Sequence, residues 1–237
     1  MSLTKFDSNF YRGKQVVPTM SSYVAFNVGR QPGRLVMAGS VASQASLGSQ
    51  IAAKLCLEHL SDSILDCYEK MDANEDVEEE NILERSLKRA NIAVYNFGHQ
   101  LAAGGRLASS LLVLVIENER IISGRVGSMG AYLYRKGNIY PFFVNKECTD
   151  TCIGVNSKVL VETAEVEAQP YDSVFLFSRL LSESQERLLE KLLGGIQGRV
   201  DFDLDKLVEN IFIDSNNVEF SQVVCIGPET VFLRDYV

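Results

Sequence analysis

The sequence predicts an α+β fold of two antiparallel sheets with helices outside them, and three observations carry that prediction. Ser109–Glu117 is apolar on both faces, with Leu111, Val113 and Val115 alternating with Leu112, Leu114 and Ile116, so this strand must be covered on both sides. Two long helical patterns follow one another directly before it. After it come strand-like runs joined by short Gly turns, and strands on short turns pair antiparallel. Central antiparallel strands buried on both faces call for two stacked sheets flanked by helices.

The elements follow in order. The stretch up to about Met20 reads as irregular. Residues 22–28 and 34–38 read as strands around the turn Arg30-Gln31-Pro32-Gly33. Over residues 46–71, Ile51, Leu55, Leu60, Ile64, Cys67 and Met71 recur at near-helical spacing, which predicts one long helix capped by a serine-rich start at residues 40–46. Residues 72–81, DANEDVEEEN, form an acidic solvated connector. Residues 82–102 carry a second apolar stripe of Leu83, Leu87, Ala90, Val94, Phe97 and Leu101, stopped by Gly104-Gly105. Beyond the strand Ser109–Glu117, residues 121–140, IISGRVGSMGAYLYRKGNIY, continue as an antiparallel meander. Its first turn, Gly127-Ser128-Met129-Gly130, holds no carboxylate, histidine or cysteine. Residues 159–166, 173–177 and 223–226 read as further strands, residues 230–233 as an edge strand, and residues 182–193 and 203–210 as short helices. No linker divides the chain, so residues 1–237 are expected to form a single domain.

Composition excludes several roles. With 237 residues and 46% hydrophobic content the chain can bury a full core. A net charge of −8 argues against a nucleic acid or an anionic membrane as partner. No run reaches the roughly 20 apolar residues a membrane helix needs, and no signal peptide is visible. Five scattered cysteines, Cys56, Cys67, Cys148, Cys152 and Cys225, suit a reducing, cytoplasmic setting. Cys148 and Cys152 have no second Cys or His pair to complete a zinc site, and His59 and His99 lie in helical patterns. No Gly-x-Ser-x-Gly elbow is present for serine-nucleophile chemistry.

Val126-Gly127-Ser128-Met129-Gly130-Ala131-Tyr132-Leu133, followed by Arg135-Lys136-Gly137, resembles the Val-Gly-Asp-Ser-Arg-Ala-Tyr-Leu and Arg-x-Gly pattern of type-2C (PPM-type) metal-dependent protein phosphatases. Leu107-Ala108-Ser109-Ser110-Leu111 resembles that family's Met-Gly-Thr-Thr strand start, and Leu35-Val36-Met37-Ala38-Gly39 its Val-x-Asp-Gly strand end. Pro170-Tyr171-Asp172-Ser173 and Phe177-Ser178-Arg179-Leu180-Leu181 resemble its Pro-Gly-Asp and Cys-Ser-Asp-Gly-Leu, and residues 219–226 sit where it has Asp-Asn-x-Thr before a Val-rich strand. The resemblance covers about residues 23–226. It implies a four-layer α-β-β-α sandwich, and a hydrolase of phosphoserine and phosphothreonine whose aspartates hold two or more Mg²⁺ or Mn²⁺ ions and their attacking water.

The metal-holding positions implied by the resemblance have changed. Ala38, ahead of Gly39, stands at one aspartate position and Arg179 at another. The family's early Asn-x-Asp has no counterpart, since residues 11–34 contain no acid. Glu219 alone matches the last aspartate. Two unit charges about 4 Å apart interact by roughly 4 kcal/mol at an effective dielectric of 20. A divalent ion beside Arg179 would thus meet repulsion on the order of 8 kcal/mol, or roughly five to six decades of affinity. Arg179 is expected either to pair with Glu219 or to point to solvent.

Three functions follow as expectations. The first is a pseudophosphatase: catalytically impaired or inactive, with no catalytic residues, no metal and no cofactor, acting by regulation or by binding a protein partner. The second is an active phosphatase with a relocated Mg²⁺ or Mn²⁺ site drawn from Glu219, Asp172, Asp214 and the acidic loop near Asp76. The third is a non-catalytic phosphate or phosphopeptide reader using Arg179, Ser128 and Ser178.

Overall fold

The computed structural model describes residues 2–11, 20–29, 33–44, 46–73, 82–101, 107–117, 119–144, 151–194, 203–215 and 219–227. In chain order these form β1 (Ser2–Tyr11), β2 (Met20–Phe26), β3 (Leu35–Ala42), α1 (Leu47–Asp72), α2 (Ile82–Gln100), β4 (Ser109–Glu117), β5 (Arg120–Val126), β6 (Gly130–Arg135), β7 (Asn138–Pro141), β8 (Glu162–Glu167), β9 (Ser173–Phe177), α3 (Glu183–Leu193), α4 (Leu204–Ile211) and β10 (Glu219–Gly227). The class is α+β with two antiparallel five-stranded sheets. The chain divides into two compact units with one sheet each.

One unit comprises residues 18–129 and 145–166, and its sheet runs β2-β3-β4-β5-β8. All nine residues of β4 are buried, as its doubly apolar pattern requires. The helices α1 and α2 pack on this sheet and on each other. Ser46 caps α1 by accepting from the Ser49 amide at 3.2 Å, which satisfies one of the orphan donors at the helix start. The buried face of α1 is set by Ala52, Ala53, Cys56, Leu57, Leu60, Ile64, Cys67 and Tyr68. It is wider than the expected stripe and takes in the small residues Ala52, Ala53 and Cys56. Ile51, Leu55 and Met71 lie at its margin. On α2, Leu83, Leu87, Ala90 and Val94 are buried as expected, whereas Leu101 is exposed.

A buried ionic cluster ties three elements of this unit together. The Arg34 side chain is fully buried. It donates from Nε to Glu117 at 2.5 Å, from Nη1 to Asp72 at 3.1 Å and from Nη1 to the Val28 carbonyl at 2.9 Å. Its guanidinium lies 3.8 Å from the Tyr68 ring centre. A buried arginine persists only with its donors matched in this way. Arg34 thereby joins the start of β3, the end of β4 and the end of α1.

The other unit comprises residues 1–17, 130–144 and 167–237, and its sheet runs β1-β10-β9-β6-β7. The helices α3 and α4 pack on it over Phe175, Phe177, Val223 and Cys225. A capping box between Ser182 and Gln185 starts α3. Asp203 caps α4, and hydrogen bonds from the Lys206 amide first, then from its side chain, hold the Asp203 carboxyl below its ordinary pKa.

Four expectations are corrected. The first residues are not irregular: β1 pairs with β10 from Ser2 opposite Gly227 to Tyr11 opposite Glu219. Its polar composition hid a strand that is visible in its pairing with β10. The meander breaks at Gly127-Ser128-Met129-Gly130, because β5 and β6 belong to different sheets. Gly127 is required there: its φ is +95°, and a Cβ would lie 2.3 Å from Ser110 Oγ. The last strand begins at Glu219 rather than at residue 223, and β8 begins at Glu162 rather than at residue 159. The expected edge strand at 230–233 and most of the acidic loop, Asp76 included, lie outside the described residues. Among the described residues no helix is long and apolar enough to cross a membrane.

Candidate functional site

The register of two neighbouring strands sets up the site. In the β9–β10 pair, Phe177 faces Ser221 and Leu176 faces Gln222, so the same register places residue 179 opposite residue 219. Ser178 extends the pairing by donating its amide to the Phe220 carbonyl at 3.0 Å, and its Oγ accepts from the Phe220 amide at 3.2 Å. Arg179 and Glu219 therefore meet as a cross-strand pair. Arg179 Nε donates to Glu219 Oε1 at 3.1 Å.

Both oxygens of Glu219 accept hydrogen bonds. Its Oε1 also accepts from Ser215 Oγ at 2.8 Å, and its Oε2 accepts from Ser178 Oγ. The Glu219 side chain is 4% exposed, whereas that of Arg179 is 39% exposed. Arg179 is oriented from two further sides. Its Nη1 donates to Gln185 Oε1 at 3.2 Å, and its guanidinium lies 5.0 Å from the Phe212 ring centre. Gln185 in turn donates to the Ile211 carbonyl at 2.7 Å, which links the start of α3 to the end of α4. Of the two expected states of Arg179, the structure has the ion pair.

The structure thus brings together Arg179, Ser178 and Glu219 and adds Ser215, Gln185 and Phe212, which the sequence reading missed. Gln185 carried a visible signal as the third residue after Ser182 in a capping box. Ser215 and Phe212 carried none, because they arrive through the turn after α4.

Ser128 belongs to the other unit, in the turn after β5. Its amide donates to Ser110 Oγ at 3.2 Å. The buried Arg125 supports that turn from its near side by donating from Nη1 to the Met129 carbonyl at 3.1 Å, while its Nε binds Glu162. Ala38 is buried in β3 between Tyr23 and Val113. It packs in the apolar cluster under α1 and α2, so a carboxylate there would be buried among hydrocarbon. Gly39 lies on the opposite face of the strand. Neither phase of β3, LVMAGSVA, offers a carboxylate.

Of the acids in the relocated-site expectation, the described ones, Glu219, Asp172 and Asp214, do not form a metal-holding group, and Asp76 lies outside the described residues. Asp172 is buried and clamped by Arg135, with Nε donating to Oδ1 at 2.8 Å and Nη2 to Oδ2 at 2.6 Å, and it accepts from the Gln169 amide at 2.8 Å. This hydrogen bonding pushes the Arg135 pKa further up. Asp172 is thus a turn residue held by a forked arginine. Asp214 is exposed. Among the described residues no three of His, Cys, Asp and Glu are grouped to hold a metal ion. A hard divalent cation wants about six oxygens, mostly carboxylate and water. The Glu219 site offers one carboxylate already bonded to a guanidinium and two hydroxyls, so these residues do not fit the bimetal centre that the resemblance implies. Cys56 is also unreactive: burial pushes its thiol up to about 12.

No protein-family model matches the chain, and no curated protein matches it either. Solved structures do. PppA, a key regulatory component of T6SS in Pseudomonas aeruginosa, superposes with a TM-score of 0.68 at 15% identity over 94% of this chain and 99% of that one. The serine/threonine phosphatase Stp1 of Staphylococcus aureus gives 0.70 at 13% identity over 97% and 98%. The serine/threonine phosphatase PstP of Mycobacterium tuberculosis gives 0.65 at 13% identity over 95% and 100%. The chain has the fold of the bacterial serine/threonine phosphatases over nearly its whole described length.

Proposed function

We propose that this chain is a phosphatase-like domain that has exchanged bimetal hydrolysis for a regulatory role exercised through a protein partner, with no Mg²⁺ or Mn²⁺ cofactor. One observation carries the reading: Glu219, the sole acid at an expected metal-holding position, has both oxygens occupied by Arg179, Ser178 and Ser215. A metal would have to displace a guanidinium and two hydroxyl donors from a buried carboxylate, in a site with no second carboxylate among the described residues to share the charge. The guanidinium supplies the positive charge that a cation would have supplied. That a protein of this fold, PppA, is described as a regulatory component supports a regulatory role.

The phosphate-reader alternative has less behind it. Arg179 is committed to Glu219 and Gln185, and Ser178 to Glu219, so an anion would meet an already neutralised arginine. The test of the main reading is turnover of p-nitrophenyl phosphate and of a phosphothreonine peptide in millimolar Mn²⁺. The expected rate is that of the Mn²⁺ buffer alone, and protein-dependent turnover removed by a chelator would overturn it.

A further inference from the structure

The outer edge of β2 has no strand on it among the described residues, because β2 ends the order β2-β3-β4-β5-β8. Such an edge presents a row of backbone donors and acceptors and is ordinarily protected by charge, proline or shortness. The other three sheet edges carry that protection. The outermost strand β8 reads ETAEVE, with a glutamate at three of six positions. The strand β7 is four residues long and ends in Pro141. The strand β1 carries Lys5 and Asp7. By contrast β2 reads MSSYVAF, seven residues with no charge, no proline and no glycine. Its residues after Met20 are all half-buried rather than covered: Tyr23 and Ala25 pack partly against the cluster under α1, and Ser22, Val24 and Phe26 alternate to the other face.

We infer that β2 is an association edge and that its partner is a second copy of this chain, paired antiparallel about a dyad near Tyr23. Three features favour a second copy over a foreign strand. The strip carries no charge with which to select an acidic or basic partner, so its complement is another uncharged strand. In the dyad register Met20 faces Phe26, Ser21 faces Ala25 and Ser22 faces Val24 of the other copy, which sets apolar against apolar or small side chains on both faces. The contact is isologous, so it closes at two chains and consumes the exposed edge of each. A net charge of −8 per chain opposes broad contact between copies, which restricts association to an uncharged strip and makes it salt-dependent. Asp62 of α1 is one acid whose charge is felt at Tyr23.

Sedimentation of the full chain tests this independently of any catalytic property. The mass should rise from the 26.3 kDa of one chain towards twice that value between micromolar and near-millimolar concentration, and further at high salt. The double variant Ser22→Lys with Val24→Lys sets like charges opposite each other across the dyad and should stay monomeric. The variant Ser22→Lys with Val24→Glu sets opposite charges there and should associate again. Helical circular dichroism and a cooperative thermal transition in each variant establish that it is folded. A wild-type chain that remains monomeric throughout, or a folded double-lysine variant that associates like wild type, would overturn the inference.

Discussion

Arg179 and Glu219 face each other across the β9–β10 pair, Nε to Oε1 at 3.1 Å, at two positions where the type-2C resemblance leads one to expect two aspartates around a cation. On the function proposed above, the pair supplies from within the chain the positive charge that a bound cation would bring. The pair lies just past the end of the β9–β10 ladder, whose last partners are Phe177 and Ser221. The Ser178 amide still donates to the Phe220 carbonyl there, while the Phe220 amide turns to Ser178 Oγ.

Replacing Arg179 by Leu leaves a buried carboxylate with only hydroxyl donors. The loss should be about 1–3 kcal/mol, the range for hydrogen bonds to charged groups, at its lower end because Arg179 is partly exposed and screened. Adding Glu219→Gln should recover part of it. Urea denaturation of the two single variants and the double variant gives the coupling directly. Strictly additive effects would mean that the pair is energetically idle.

Arg34→Met should cost more, about 3–5 kcal/mol, because it strands Glu117 and Asp72 without their buried cation. Chemical denaturation reads this as a lower midpoint at unchanged slope. Arg34→Lys should also destabilise, since one ammonium cannot reach Glu117, Asp72 and the Val28 carbonyl in the geometry of the guanidinium.

Gly127→Ala should destabilise by about 2 kcal/mol or more, from left-handed backbone strain and from a Cβ forced to 2.3 Å from Ser110 Oγ. Adding Ser110→Ala removes the Oγ contact but leaves the residue-110 Cβ at 2.8 Å and the backbone strain, so thermal melts should show only partial recovery. Full recovery would mean that the backbone conformation carries no cost.

Alkaline pH should weaken the fold through Cys56. Its thiol is pushed up from 9.0 to about 12 in the folded state, so between those values the unfolded chain loses a proton that the folded chain keeps. Stability is therefore full below about 9 and falls as pH rises towards 12, by at most about 1.4 kcal/mol per pH unit. Tyr23 and Tyr134, also raised by burial, act in the same direction. Cys56→Ala should flatten part of this alkaline slope in a series of denaturation midpoints. An unchanged slope would assign it to the tyrosines.

Much of the fold was legible because strong local signals agreed with tertiary need. The strand β4 announced its two-sided burial through continuous apolar residues, and α1, α3 and α4 began at Ser46, Ser182 and Asp203, where capping chemistry places helix starts. What stayed hidden depended on long-range pairing. The strand β1 has little apolar periodicity of its own and exists because β10 offers it an edge. The sheet change at Gly127–Gly130 looks like a hairpin turn locally, since the sequence of a turn does not say which strand its exit will find. At the site, the arginine substitution was readable from motif position, whereas Ser215 and Phe212 reach it through the turn after α4. The facing of Ala38 towards the helices depended on the phase of β3, which an apolar strand does not reveal.

If Arg179 satisfies the Glu219 carboxylate as proposed, no divalent-cation site is left beside it. Calorimetric titration of Mn²⁺ into the wild-type chain tests it most directly. No saturable heat is expected at metal concentrations up to the millimolar range, and a stoichiometric isotherm with micromolar affinity would show that a cation site persists beside Arg179.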